Sequence, residues 1–173
     1  MKKSVWLWSL VGFAVVSIGG TLLHFLYDFT DGAVWTALFS GVNESTWEHM
    51  KLLFWPSFIF AIIQSFFCDT AEFWCVKLRG TILGLLLIPL LFYTYNGVIG
   101  KSPDFLNIAI FFVSAAIAFI YETVMLTRGN VKCKNPKLAI FTLCLVGFFF
   151  ILFTFRTPKI NIFLDPLTNT YGI

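Results

Sequence analysis

The sequence predicts an all-α, polytopic membrane protein with five transmembrane helices in a single membrane domain. Three observations carry this reading. Of 173 residues, 58% are hydrophobic and only 12% are charged, about half of the ~25% charged residues of an average globular protein. Mean hydropathy is +0.85, and phenylalanine alone supplies 22 residues. The charges also leave five long gaps. A soluble domain of this size must cover its surface with polar side chains, and twelve basic plus nine acidic residues are too few for that. The chain has no polar tract and no sustained heptad, which excludes disorder and coiled coil. A net charge of +3 is too small for a nucleic-acid partner.

A bilayer core about 30 Å thick requires roughly 20 apolar residues per helix. Stretches without Asp, Glu, Lys or Arg run over 5–27, 52–68, 80–100, 105–121 and 138–155. With their flanking turns they place spans at about 5–27, 47–68, 80–100, 105–124 and 138–155, followed by an extracytoplasmic tail, 156–173. The runs are continuous rather than alternating, so barrel strands are excluded. The start, Met1-Lys2-Lys3 and then an apolar run, is also signal-like. The run exceeds the usual 7–15 residue signal core and lacks a small-x-small cleavage site, so it reads as a retained first helix.

Between the first two spans, residues 29–42 are too short and too broken by Gly32 and Gly41 to cross. Trp35, Leu38 and Phe39 suit a short interfacial helix, a re-entrant turn or a lid. Pro56 and Pro89 fall inside spans, where neighbouring helices can re-satisfy the freed carbonyls. Gly80 and Gly84 form a GxxxG pair, and Gly19-Gly20 lies in the first span. Such small-residue faces permit close helix approach, within the chain or in a homo-oligomer.

Orientation follows from the basic residues. With the N-terminus inside, the inner segments hold Lys2, Lys3, Lys77, Arg79, Arg128, Lys132, Lys134 and Lys137, and the outer ones only Lys51, Lys101, Arg156 and Lys159. Cytoplasmic loops carry the Lys and Arg excess, which favours N-in, C-out. The acids lean outward, with Asp69, Glu72 and Glu122 the inner exceptions. Cys68, Cys75 and Cys133 then lie near the cytoplasmic face, where thiols stay reduced, and Cys144 lies within a span. Their spacing is no standard zinc pattern, so the four read as inert.

Polar groups at membrane depth are costly and therefore informative. They gather at the outer helix ends. His24 and Asp28 are four apart and share a helical face; Glu44 and Glu48 are four apart at the start of the second span, with His49 beside Glu48. Imidazole and carboxylate groups from two helices can ligate a divalent metal such as zinc, and the expected ligands are His24, Asp28, Glu48 and His49. Glu44, Glu48 and Asp165 are the expected catalytic carboxylates. Tyr93, Tyr95 and Asn96 on the third span and Tyr171 in the tail are expected to line a substrate. The tail, rich in turn formers, is expected to fold back and bring Asp165 toward Glu48.

Structural roles compete with these. Ser45-Thr46-Trp47-Glu48 reads as a capping box in which Glu48 returns to the cap amide, and Lys51 is within pairing reach of Glu48. His24 can be a hydrogen-bonded structural histidine. Tyr93 and Tyr95 suit an interfacial aromatic belt. Glu122 is expected to pair with Arg128 or a snorkelling basic neighbour.

Four stretches carry a resemblance: LHFLYD at 23–28, VNESTWEHMKLLF at 42–54, LFYTYNG at 91–97 and DPLTNTYG at 165–172. Through them the chain resembles a domain-of-unknown-function family of small multi-pass membrane proteins from Gram-positive and anaerobic bacteria. The resemblance covers nearly the whole chain and implies a bacterial plasma-membrane location, with no activity or ligand attached.

Three functions fit the sequence. One is a metal-dependent, membrane-embedded enzyme acting on a lipid or lipid-linked substrate, with Glu44 or Asp165 as general base on metal-bound water. The second is a transporter, channel or solute-binding subunit, in which the acids carry a cation or protons. The third is an accessory or assembly protein whose acidic rim only supports the fold.

Overall fold

The structure is a computed structural model that describes residues 2–68, 70–100, 104–129 and 131–173, without the side chains of Lys2, Lys3 and Asp104. Asp69 and Lys101, both counted in the charge balance, lie outside the described residues. Five long helices follow one another: α1 (Lys2–Phe29), α3 (Thr46–Ser65), α4 (Phe73–Ile99), α5 (Asp104–Arg128) and α6 (Pro136–Phe155). A short α2 (Val34–Ala37) interrupts the α1–α3 connection, and a 3-10 turn (Asn161–Phe163) follows α6.

The helix ends are set by local chemistry. At the end of α1, Gly32 N–H donates to the Tyr27 carbonyl at 3.0 Å and Asp31 N–H to that of Asp28 at 3.1 Å. Asp31 and Gly32 take φ of 50° and 74°, the left-handed turn that satisfies the last carbonyls of a helix. Ser45 caps α3 by accepting from Glu48 N–H at 3.4 Å. Asn135 caps α6 by accepting from Leu138 N–H at 3.1 Å, with Pro136 in the first turn, where its missing N–H costs nothing.

Among the described residues, four helices are long and apolar enough to cross a membrane: Ser4–Phe29, Phe73–Ile99, Phe105–Arg128 and Pro136–Phe155. The chain is a membrane protein on that ground. The expected fifth, α3, is not among them, because Glu48, His49 and Lys51 lie in its first two turns. Its position explains how it tolerates them. It packs against α1, α4, α5 and α6, and four consecutive residues, Lys51, Leu52, Leu53 and Phe54, are all buried. Successive helical residues point about 100° apart, so this burial covers the whole circumference. By contrast, α1 leaves Leu10, Ile18 and Leu22 exposed along its outer side.

The core contains Val16, Leu53, Phe54, Phe60, Leu85, Phe111, Phe119, Leu143 and Phe150. Gly80 and Gly84 serve the contact between α4 and α5 within the chain: a Cβ at Gly80 would collide with Glu122, and one at Gly84 would stand 3.1 Å from Ala118. The room left by Gly80 admits a buried ion pair, Lys77 Nζ to Glu122 Oε2 at 2.6 Å. The ammonium also lies over the rings of Phe60, Phe73 and Phe119 at 5.2–5.7 Å. Glu122 therefore pairs with Lys77 and not with Arg128, since a carboxylate 4% exposed can be balanced only by a charge brought in by a facing helix.

The cysteines correct a second expectation. Cys75, early in α4, is disulfide-bonded to Cys133 in the α5–α6 connection, with Cα atoms 5.7 Å apart. Cys68 and Cys144 are free thiols. The pairing joins residues 58 apart in sequence, a proximity that spacing cannot reveal.

Candidate functional site

At the end of the bundle where α1 stops and α3 begins, three expected polar residues converge. Glu44 Oε1 is 3.6 Å from His24 Nε2, and Glu44 Oε2 is 3.5 Å from His49 Nε2. The two imidazole rings meet edge to face, 5.6 Å between centroids. One ligand atom from each of the three lies within 4.8 Å of the others.

Each side chain has a local cause for its position. α3 begins only at Thr46, so Glu44 stands before the cap in non-helical backbone. It is therefore not one turn from Glu48 on a shared face, and the two carboxylates diverge. His49, in the first turn, places Nδ1 3.0 Å from the Ser45 carbonyl. A carbonyl only accepts, so Nδ1 carries a proton, and Nε2 faces Glu44 either with a lone pair in the neutral ring or with an N–H in the protonated one. That arrangement, in which one ring nitrogen is held by a carbonyl and the other is free to ligate, is how proteins orient metal-binding histidines. His24 sits in a locally opened turn of α1. The Ser40 hydroxyl donates to the Leu23 carbonyl at 2.7 Å and accepts from Tyr27 N–H at 3.0 Å, inserting into the rung where those two groups would otherwise pair.

Glu48 is not part of this cluster. Its Oε2 accepts from Lys51 Nζ at 2.5 Å and from Val42 N–H at 3.2 Å, and Thr154 Oγ1 lies 3.4 Å from its Oε1. Lys51 is fully buried, and its ammonium has three acceptors: Glu48, the Ala37 carbonyl at 2.9 Å and Thr154 Oγ1 at 2.9 Å. Three donors and three acceptors satisfy the charge inside the protein. Glu48 does not close a capping box either, because the Ser45 N–H goes to Asn43 Oδ1 at 2.9 Å.

The remaining expected residues take different places. Asp28 is exposed and lines a small polar pocket of about 50 Å³ together with His24, Asn43, Glu44 and His49. Asp165 is buried; it accepts from Leu167 N–H and Thr168 Oγ1, both at 2.8 Å, and stands within electrostatic reach of His49. Tyr93 approaches the site through its hydroxyl, which accepts from Thr46 Oγ1 at 3.5 Å. Tyr95 and Asn96 do not line the described pockets around the histidines; the Asn96 amide donates to the Phe92 carbonyl at 2.8 Å. Tyr171 pairs with Leu164 across the folded tail.

The tail lies against the start of α3. Trp47 packs on Phe163 at 4.7 Å and on Phe150 and Phe153 of α6. Asn43 Nδ2 donates to the Gly172 carbonyl at 3.0 Å. Asn43 thus links the C-terminus to the turn that presents Glu44. Sequence reading missed Asn43 and Ser40 as supports of the site, whereas the pairing of Lys51 with Glu48 that it allowed for is present.

No curated protein and no solved structure matches the chain. The whole of it, residues 1–173, matches a family of unknown function (DUF6512), and the chain therefore belongs to that family.

Proposed function

We propose that this is a membrane-embedded, metal-dependent hydrolase whose divalent ion, of the zinc class, is held by His24, Glu44 and His49. The convergence of those three groups carries the reading. Zinc binds histidine nitrogen and carboxylate oxygen at about 2.0–2.2 Å, so tetrahedral neighbours stand roughly 3.3 Å apart; one ligand atom from each of the three residues already lies within 4.8 Å of the others, with a different Glu44 oxygen facing each imidazole. Two histidines and a glutamate leave a fourth position open, as catalytic zinc sites do.

A zinc-class ion in that position supplies Lewis acidity and a water acidified toward neutral pH. Asp28, on the wall of the same pocket, is the carboxylate that would serve as base. In hydrolysis of an acyl or phosphoryl ester, Asp28 would take one proton from the attacking water and pass it to the alcohol oxygen as the ester bond breaks. Glu44 moves in this scheme from base to ligand, and Glu48 supports the fold. A transport reading needs free acids inside the bundle, whereas Glu48 and Glu122 are tied to Lys51 and Lys77.

The same reading takes α3 as a fifth span, since 20 helical residues reach about 30 Å. It puts the N-terminus inside and the site on the extracytoplasmic side of a bacterial plasma membrane. Lys51 and Lys77 are buried, one from each side of the basic-residue balance, so the bias survives without them.

The test is the zinc content of the purified, dialysed chain in nanodiscs. The wild type should retain about one ion per chain, and a His24→Ala/His49→Ala variant none at an unchanged melting temperature. A well-folded wild type without zinc, or a double variant with equal zinc, overturns the proposal.

A further inference from the structure

Beside the polar pocket lies a second cavity of different character. It occupies about 140 Å³ between α1 and α5, with α3 as its floor. Gly20, Thr21, His24 and Phe25 form one wall, and Asn107, Ile108, Phe111 and Phe112 the other. Gly20 lets the two walls approach: the Phe111 ring sits where a Cβ would stand, so the aromatic tucks against the α1 backbone. Thr21, Phe25 and Ile108 are exposed, and they mark an opening between two helices that are each long and apolar enough to cross a membrane. In that setting the mouth faces hydrocarbon, not water.

The two cavities share lining residues. His24, His49 and Leu52 border both the apolar crevice and the pocket that holds Glu44 and Asp28. A molecule occupying both must be apolar along one part and polar at the adjoining end. The crevice has room for on the order of ten water-sized groups at ~10–15 Å³ each, enough for the first part of one acyl chain and not for two. Its open side lets the rest of the chain continue into the bilayer.

We infer that the substrate is a membrane amphiphile that enters sideways between α1 and α5, with one acyl chain in the crevice and its ester or phosphoester at His24 and His49. The inference rests on the proposed metal-dependent hydrolysis for the chemistry at the polar end, but the acyl-binding crevice stands on its own geometry. Lateral entry also explains why His24, although a third exposed, sits on the membrane-facing helix α1. The scissile group of a lipid lies at the boundary between chain and headgroup, and the imidazoles mark the same boundary between crevice and pocket.

The experiment uses the full chain in phosphatidylglycerol–phosphatidylethanolamine nanodiscs doped with a phospholipid bearing a photoactivatable diazirine near the carboxyl end of one acyl chain. After irradiation, label is mapped by peptide and zinc is measured on the same samples. Label should concentrate in residues 20–25 and 107–112 at least fivefold above the exposed outer side of α6, represented by Phe141 and Phe148. Thr21→Trp should fill the crevice and remove that excess while leaving zinc content unchanged. Ile108→Trp closes it from the opposite wall and serves if the first variant fails to fold. His24→Ala/His49→Ala should lose zinc and keep the acyl label. Label spread evenly over all exposed helix faces, or an excess insensitive to both tryptophans, overturns the inference. An intact excess in a wild type that binds no zinc keeps the crevice and removes the metal.

Discussion

His49 holds its Nδ1 3.0 Å from the Ser45 carbonyl and turns Nε2 to within 3.5 Å of the Glu44 carboxylate. A neutral imidazole lone pair and a carboxylate oxygen would repel each other without something positive between them. A proton or a metal ion satisfies both, and His24 on the opposite side of Glu44 supplies a further nitrogen.

Because imidazole nitrogen binds a metal only when unprotonated, protons compete with the proposed ion, and its binding should weaken on acidification. Zinc or cobalt affinity, measured by competition with a chelator, should fall at least tenfold between pH 7.5 and pH 5.5. A pH-independent affinity would show that the histidines are not ligands.

The Lys51–Glu48 pair should behave as a unit. Removing one partner of a buried pair leaves a charge without compensation and costs about 3–5 kcal/mol. Lys51→Met and Glu48→Gln should each lower thermal stability sharply. The double variant should lose clearly less than the sum, because no charge is then left buried. Strictly additive losses in denaturation measurements would contradict this.

Asn43 and the C-terminus should tune the site from outside it. Asn43→Ala removes both the bond to Gly172 and the acceptor for Ser45 N–H, and frees the turn that carries Glu44. Supporting groups of this kind are worth about 10–100-fold in metal affinity. A loss of that size should appear in Asn43→Ala, and again on deleting residues 171–173, with only a small change in melting temperature. A merely structural role would move the melting temperature and leave affinity alone.

The Cys75–Cys133 disulfide reports on orientation. Disulfides persist in oxidising compartments and are reduced in the cytosol. If the basic-residue balance is right, these cysteines face the cytoplasm. Rapid acid trapping and alkylation of intact cells should then find the pair reduced, even though the structure bonds the two sulfurs. Finding the disulfide intact in trapped cells would reverse the orientation and place the histidine site on the inner side.

Much of this architecture is legible in the sequence. Long charge-free runs of spanning length become helices because, without water, a backbone can satisfy its N–H and C=O groups only within itself. Ser45 marks the start of α3 and Gly32 the turn beyond α1, since both act through bonds only a few residues long. His24 and His49 could be singled out because a polar group in an apolar run demands a partner.

Which partner each finds was decided by tertiary structure. Glu44 and Glu48 look equivalent at i and i+4, yet one reaches the histidines and the other Lys51, because the helix starts between them. Glu122 finds Lys77 on α4, Cys75 finds Cys133 across 58 residues, and the crevice exists only because α1 packs on α5. Local bonding and hydropathy act along the chain and can be read from it. The meeting of side chains from different helices depends on the packing order of the bundle, which composition and periodicity do not encode.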